Sequence, residues 1–181
     1  MGNEFVQEKT TFDHCLRPVF SEYLLKKVLK GDAINFIAEH GLGRRRTLDD
    51  LEQCLGDDIL VLRLNLKSYK ESYSAFIKEL WRQLGSQGDM PTELASVLEH
   101  MEASKKTMLL IMHNFDILLD NPQIDSAFNV SFFDHLNSMR NQENMCLLCV
   151  TVKAHDQSLV MIDGKPHSHS WLNLESLTLT E

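Results

Sequence analysis

The segment Ile34-Asn35-Phe36-Ile37-Ala38-Glu39-His40-Gly41-Leu42-Gly43-Arg44-Arg45-Arg46-Thr47 constrains the fold more than any other part of the chain. A short apolar run enters a loop that contains Gly-x-Gly, and the chain then continues as a polar, helix-compatible stretch. Glycines at 41 and 43 permit backbone dihedrals that a Cβ would oppose, so the turn can be tight. A turn of that kind aims its own N–H groups, and those of the next helix's first turn, at one spot where an anion can sit. A strand that leaves through a helix must also reach its next strand by a crossover, which favours parallel pairing.

The rest of the chain repeats the same alternation. The spacing predicts a helix over 19–30, with Ser21 near its start. Its apolar face would be Phe20, Leu24, Leu25, Val28 and Leu29, with Gly31 as the C-terminal cap. Strands are expected at 33–38, 59–64, 108–112 and 145–151, and a last extended segment over 171–179. Helices are expected over 47–55, from a capping box at Ser68–Glu71 onward, from Pro91 to about Ser104, and over 131–140. Residues 154–170 are polar and patternless and read as a loop. Strands rich in Ile, Leu and Val that alternate with helices predict an α/β fold. Its mainly parallel sheet, of about five strands, would be covered by helices on both faces. Ligands in such sheets bind at the carboxyl ends of the strands, where the glycine loop lies.

With 181 residues the chain is of one-domain size; positions 1–16 read as an N-terminal extension and 17–181 as the domain. A formal net charge of −8 argues against binding nucleic acid on its own. No apolar run reaches the ~18–20 residues of a membrane helix, and the N-terminus lacks the pattern of a signal peptide. These features lead to an expectation of a cytoplasmic protein. Cys15 and Cys54 look isolated, whereas Cys146 and Cys149 form a C-x-x-C within a strand. Residues three apart on a strand point to opposite faces, and a zinc ribbon needs a second pair, so buried thiols are the expectation and no metal is assigned. His167-Ser168-His169 is a weak chelating pattern in a segment read as solvated loop.

The loop fits the phosphate-binding pattern G-x-x-x-x-G-K-[ST] in frame but not in chemistry. The first Gly falls on Ala38, the last on Gly43, the Lys on Arg44 and the magnesium-binding hydroxyl on Arg45. Candidate anion contacts are therefore His40, Gly41, Leu42, Gly43, Arg44, Arg45 and Arg46. A second run, Leu109-Leu110-Ile111-Met112-His113-Asn114-Phe115-Asp116, has the form of the strand that ends in a magnesium-binding Asp and a water-polarising Glu. His113 and Asn114 occupy those two places, and Asp116 remains nearby. A guanidinium has no acceptor lone pair, so Arg45 cannot serve a magnesium ion, and Asn114 cannot act as a base. Plainer readings stand beside these. Gly-x-Gly before a helix is common, 109–112 is a buried strand in many proteins, His113 alone suits a structural role, and Arg44–Arg46 suit a surface cluster for an acidic partner.

Taken in order, these pieces resemble the AAA+ and STAND branch of P-loop ATPases. The helix at 19–30, the loop at 38–47, the run His113–Leu119 and the strand 146–151 carry the likeness. The resemblance implies a three-layer P-loop NTPase-like fold and places Thr151 where a polar residue senses the gamma-phosphate. It implies nucleotide held between neighbouring subunits under a helical lid, which this chain is not expected to include. The substitutions then imply a pseudo-ATPase without catalytic residues. It would bind no cofactor, or ATP, ADP or phosphate without magnesium, and act as a regulatory or assembly subunit through a protein partner or self-assembly. The competing class is a nucleotide-binding ATPase or switch with an atypical site, of the kind used in transposition, defence or signalling. Apolar surface around Trp171, Leu172, Leu174 and Leu177 is expected to lie exposed near the three arginines.

Overall fold

The structure, a computed structural model, describes residues 12–120, 123–154, 159–162, 165–168 and 174–180. Its centre is a five-stranded sheet made of β1 (Ile34–Ile37), β2 (Ile59–Asn65), β3 (Thr107–His113), β4 (Met145–Thr151) and β7 (Glu175–Thr178). The spatial order is β2-β3-β4-β1-β7, and every neighbouring pair is parallel. A strand order that places β4 between β1 and β3 brings the ends of all three to one edge. Ile37 is opposite Thr151 there, and Asn65 is opposite His113.

The apolar runs are buried on both faces, and their two-residue period divides them between two cores. In β3, Met108, Leu110 and Met112 face one core while Leu109 and Ile111 face the other; in β4, Met145, Leu147 and Cys149 alternate with Cys146, Leu148 and Val150. The C-x-x-C thiols therefore lie on opposite faces, as their spacing requires. The first core packs against α3 (Tyr73–Gln83), α4 (Leu94–Ala103) and α6 (Val130–Ser138), with Tyr73, Phe76, Phe128 and Phe132 meeting largely edge to face. The second core packs against α1 (Pro18–Lys30) and α2 (Arg44–Gln53). Helices on both faces of a parallel sheet make the three-layer α/β/α arrangement expected from the alternation.

Several local expectations are corrected. The helix after the glycine loop starts at Arg44 rather than Thr47, so all three arginines are helical. Ser68 lies in a short 3-10 turn, and the cap of α3 is Ser72, whose Oγ accepts the Ala75 N–H at 3.2 Å. The capping box at 68–71 loses because Asp125 holds the chain there: it accepts the Tyr73 N–H at 2.8 Å and donates its own N–H to the Lys70 carbonyl at 2.7 Å. Pro91 precedes α4 by three residues instead of opening it. Leu29 is 60% exposed and off the buried face of α1. A one-turn helix, α5 (Asp116–Asp120), follows β3. The polar stretch read as loop contains an antiparallel hairpin, β5 (Leu159–Ile162) and β6 (Lys165–Ser168). His169 of the chelating pattern lies outside the described residues.

The last segment pairs with β1 as the fifth strand. Lys27 Nζ meets a Glu175 carboxylate oxygen at 2.8 Å, and Leu177 and Leu179 are buried in the second core. Leu174 and Leu177 are 8% and 9% exposed, so they form no open apolar surface; Trp171 and Leu172 lie outside the described residues.

Candidate functional site

The glycine loop takes the conformation its residues permit. Gly41 has φ +90° and Gly43 φ +79°, and Gly43 caps α2 in the left-handed region. A Cβ on Gly41 would meet nothing within 4 Å, so that glycine is required by dihedral alone; one on Gly43 would come 2.7 Å from Leu16 Cδ2 as well. Thr47 closes the first turn, its N–H and Oγ1 both donating to the Gly43 carbonyl at 2.9 and 3.2 Å. The N–H groups ahead of it belong to the first turn of a helix, which has no carbonyl of its own to offer them. Ala38 sits before the turn: its N–H donates to the Thr151 carbonyl at 3.0 Å and its side chain is fully buried, so it extends the ladder between β1 and β4.

Beside this helix start, a cleft of about 400 Å³ opens between α2 and the ends of β2 and β3. Arg44, Arg45, Leu48 and Asp49 line it from the helix, and Arg63, Asn65, His113 and Asn114 from the strands. Burial pushes the His113 imidazole below its ordinary pKa, and Arg63, Arg44 and Arg45 add to the shift, so the ring is neutral near pH 7. Arg63 is paired with Glu52 and lies 3.8 Å from an Asp49 oxygen. One guanidinium nitrogen of Arg44, Nη1, is buried with no hydrogen-bond partner among the described residues. The cleft thus gathers three guanidinium groups around His113, with Asp49 of the helix among them and Glu52 paired to Arg63.

The other expected positions divide between the cleft and the scaffold. Asn114 has φ +56°, a left-handed conformation Asn tolerates better than most residues, and its Nδ2 donates to Asn65 Oδ1 at 2.8 Å. That bond ties the ends of β2 and β3. Asp116 accepts the Val152 N–H at 2.8 Å and so ties the end of β3 to the chain leaving β4. Thr151 is fully buried and donates its hydroxyl to Asn35 Oδ1 at 3.0 Å, inside the sheet. His40 and Gly41 are exposed at the tip of the loop, and Leu42 packs partly against the second core. Arg46 points away from the cleft: its Nε donates to Asp50 Oδ1 at 2.6 Å and its Nη2 to the His14 carbonyl at 2.9 Å.

Arg63, Asp49 and Asn65 were not foreseen from sequence. The one available signal was Arg63 itself, a charge inside the apolar run Ile59–Leu64. The Arg46–Asp50 pair also carried a local signal, since residues four apart share a helix face.

No family model matches the sequence, and no curated protein matches it. Solved structures do. A chain in the structure of Drosophila ORC bound to DNA superposes with a TM-score of 0.58 at 16% identity, over 91% of this chain and 42% of that one. The Aeropyrum pernix ORC2 protein, solved as ADPNP–ADP complexes, gives 0.59 at 14% identity, over 81% and 44%. Cdc6p from Pyrobaculum aerophilum gives 0.53 at 19% identity, over 84% and 42%. This chain therefore shares the three-layer fold, a five-stranded parallel sheet between helices, with domains of these three proteins, and it spans less than half the length of each.

Proposed function

We propose that this chain is a non-hydrolysing P-loop domain that serves as a regulatory or assembly subunit through protein contacts. Its cleft takes a phosphate-bearing anion (ATP, ADP or free phosphate) without magnesium. The observation that carries the reading is the convergence of Arg44, Arg45, Arg63 and His113 on one cleft. Positions that would hold magnesium carry an Arg and a His, and the position that would polarise water carries an Asn already bonded to Asn65. Losing one such group costs ~10²–10³ in rate elsewhere, so losing several together leaves negligible turnover. Phosphate suits what is there. Guanidinium groups bind it bidentately.

The assembly half of the reading rests on the neighbours and on charge. Drosophila ORC is described as bound to DNA and, in another structure, to AT-rich DNA and Cdc6. A net charge of −8 supports a protein partner over direct DNA contact for this chain.

Titrating ATP, ADP and phosphate with and without magnesium tests the site. Binding indifferent to magnesium and lost in Arg44→Ala/Arg45→Ala, with no phosphate release, is expected. Magnesium-dependent hydrolysis that disappears in Gly43→Ala supports the second reading, a working switch; the positive dihedrals of Gly41 and Gly43 are the feature that favours it. Light scattering and pull-down from the native host test the assembly half, and a monomer that recovers no partner would overturn it.

A further inference from the structure

Cys15 and Cys54, isolated in sequence, are brought together in space with His14. The three ligand atoms, one imidazole nitrogen and two thiol sulfurs, all lie within 4.8 Å of one another. His14 Nε2 is 3.6 Å from Cys15 Sγ and 3.8 Å from Cys54 Sγ. A tetrahedral zinc with Zn–S of about 2.3 Å and Zn–N of about 2.0–2.1 Å holds its sulfur and nitrogen ligands about 3.6 Å apart. The two observed sulfur–nitrogen separations match that spacing.

The backbone around the cluster is already fastened. The Cys15 N–H donates to the Phe12 carbonyl at 3.0 Å, and the Leu16 N–H to Asp50 Oδ2 at 2.8 Å. Arg46 holds the His14 carbonyl, and the Cys54 N–H closes the end of α2 on the Leu51 carbonyl at 3.0 Å. Cys15 is buried, Cys54 is half-buried and His14 is exposed, so an ion can enter from solvent on the imidazole side.

We propose that His14, Cys15 and Cys54 form a zinc(II) site, completed by water, that clamps the segment before α1 to the end of the helix that follows the glycine loop. Binding releases two thiol protons to solvent, and the two thiolates with a neutral imidazole balance the divalent charge. The clamp bears on the loop through Leu16, whose Cδ2 lies within 2.7 Å of where a Cβ on Gly43 would be.

The test uses the full chain, reduced and stripped with a chelator, then titrated with cobalt(II) and zinc(II). One metal per chain is expected, with a thiolate-to-cobalt charge-transfer band that zinc abolishes. Cys15→Ser, Cys54→Ser and His14→Ala should each weaken binding by about 100-fold or more, while Cys146→Ser leaves it unchanged. Because a variant can fail to fold, the wild-type chain is also alkylated with and without zinc and mapped by peptide mass. Zinc should shield Cys15 and Cys54 and leave Cys146 and Cys149 as they were. No metal uptake, uptake that survives Cys15→Ser/Cys54→Ser, or absence of shielding overturns the proposal. So does a reduced protein that takes no zinc yet forms a Cys15–Cys54 disulfide on mild oxidation.

Discussion

Replacing Asp50 with alanine should loosen the N-terminal segment from the glycine-loop helix and lower the stability of the whole domain. Asp50 is fully buried, and its two oxygens are used separately: Oδ1 accepts from Arg46 Nε at 2.6 Å and Oδ2 from the Leu16 N–H at 2.8 Å. The Leu16 bond is to a charged acceptor, a class that contributes about 1.5–3 kcal/mol, and its loss strands a backbone donor. Arg46 is largely exposed and returns to water, so it adds little to the cost. A total of about 2–3 kcal/mol follows, which for a chain of this length lowers Tm by about 4–12 °C. Asp50→Asn keeps an acceptor for Leu16 and should cost roughly half as much.

The pH dependence has a definite sign. Burial alone would raise the Asp50 pKa, but the Leu16 N–H and Arg46 outweigh it and the folded value lies below the ordinary one. Its contribution is therefore fully present above the unfolded pKa of about 3.9 and is lost as pH falls through the folded value. Thermal melts of wild type, Asp50→Ala and Asp50→Asn across that range measure both effects. An Asp50→Ala shift under about 1 °C would refute the reasoning, as would equal losses for the two variants.

Three further outcomes follow from other contacts. Tyr73→Phe should cost about 1–3 kcal/mol in urea unfolding, because the Tyr73 hydroxyl accepts the Leu94 N–H at 2.9 Å in a buried setting and nothing replaces it. Asn114→Val should cost at least about 1–2 kcal/mol for its φ of +56° while Asn114→Gly costs less; equal melts for the two would show that the dihedral carries no strain. Arg82, then Gln83, hold the Glu79 carboxyl down to about 2, so its contribution is present above the unfolded pKa of about 4.3 and fades as pH drops toward 2. Glu79→Gln should flatten that part of the acid-unfolding curve, and an unchanged curve would show that the pair contributes nothing.

What the sequence by itself determined is the part of the fold written in short-range pattern. The run Met145–Thr151 is a strand over the same residues in the structure, because seven consecutive buried residues with β-compatible side chains suit a central parallel strand. Gly31, Gly41 and Gly43 take positive φ as their places in caps and turns suggest. Opposite facing of Cys146 and Cys149 follows from the two-residue period alone. Pattern also located the edge where the cleft opens, since the glycine loop and the end of β3 both had to lie at the carboxyl ends of strands.

Only the tertiary structure decided which side chains meet there. Arg44 and Arg45 turn into the cleft, while Arg46, one position on, is rotated by a helical step onto Asp50 and the N-terminal segment. Arg63 joins from another strand, and Thr151 is taken up by Asn35, 116 positions earlier. Ser72 displaces Ser68 as a cap because Asp125, far along the chain, holds the intervening turn. His14, Cys15 and Cys54 converge because α2 returns its C-terminal end beside the segment that precedes α1. Periodicity records which face of an element is apolar and says nothing about what that face will touch. A partner 40 or 116 residues away is chosen by the packing of whole elements, and that choice exists only once the chain has folded.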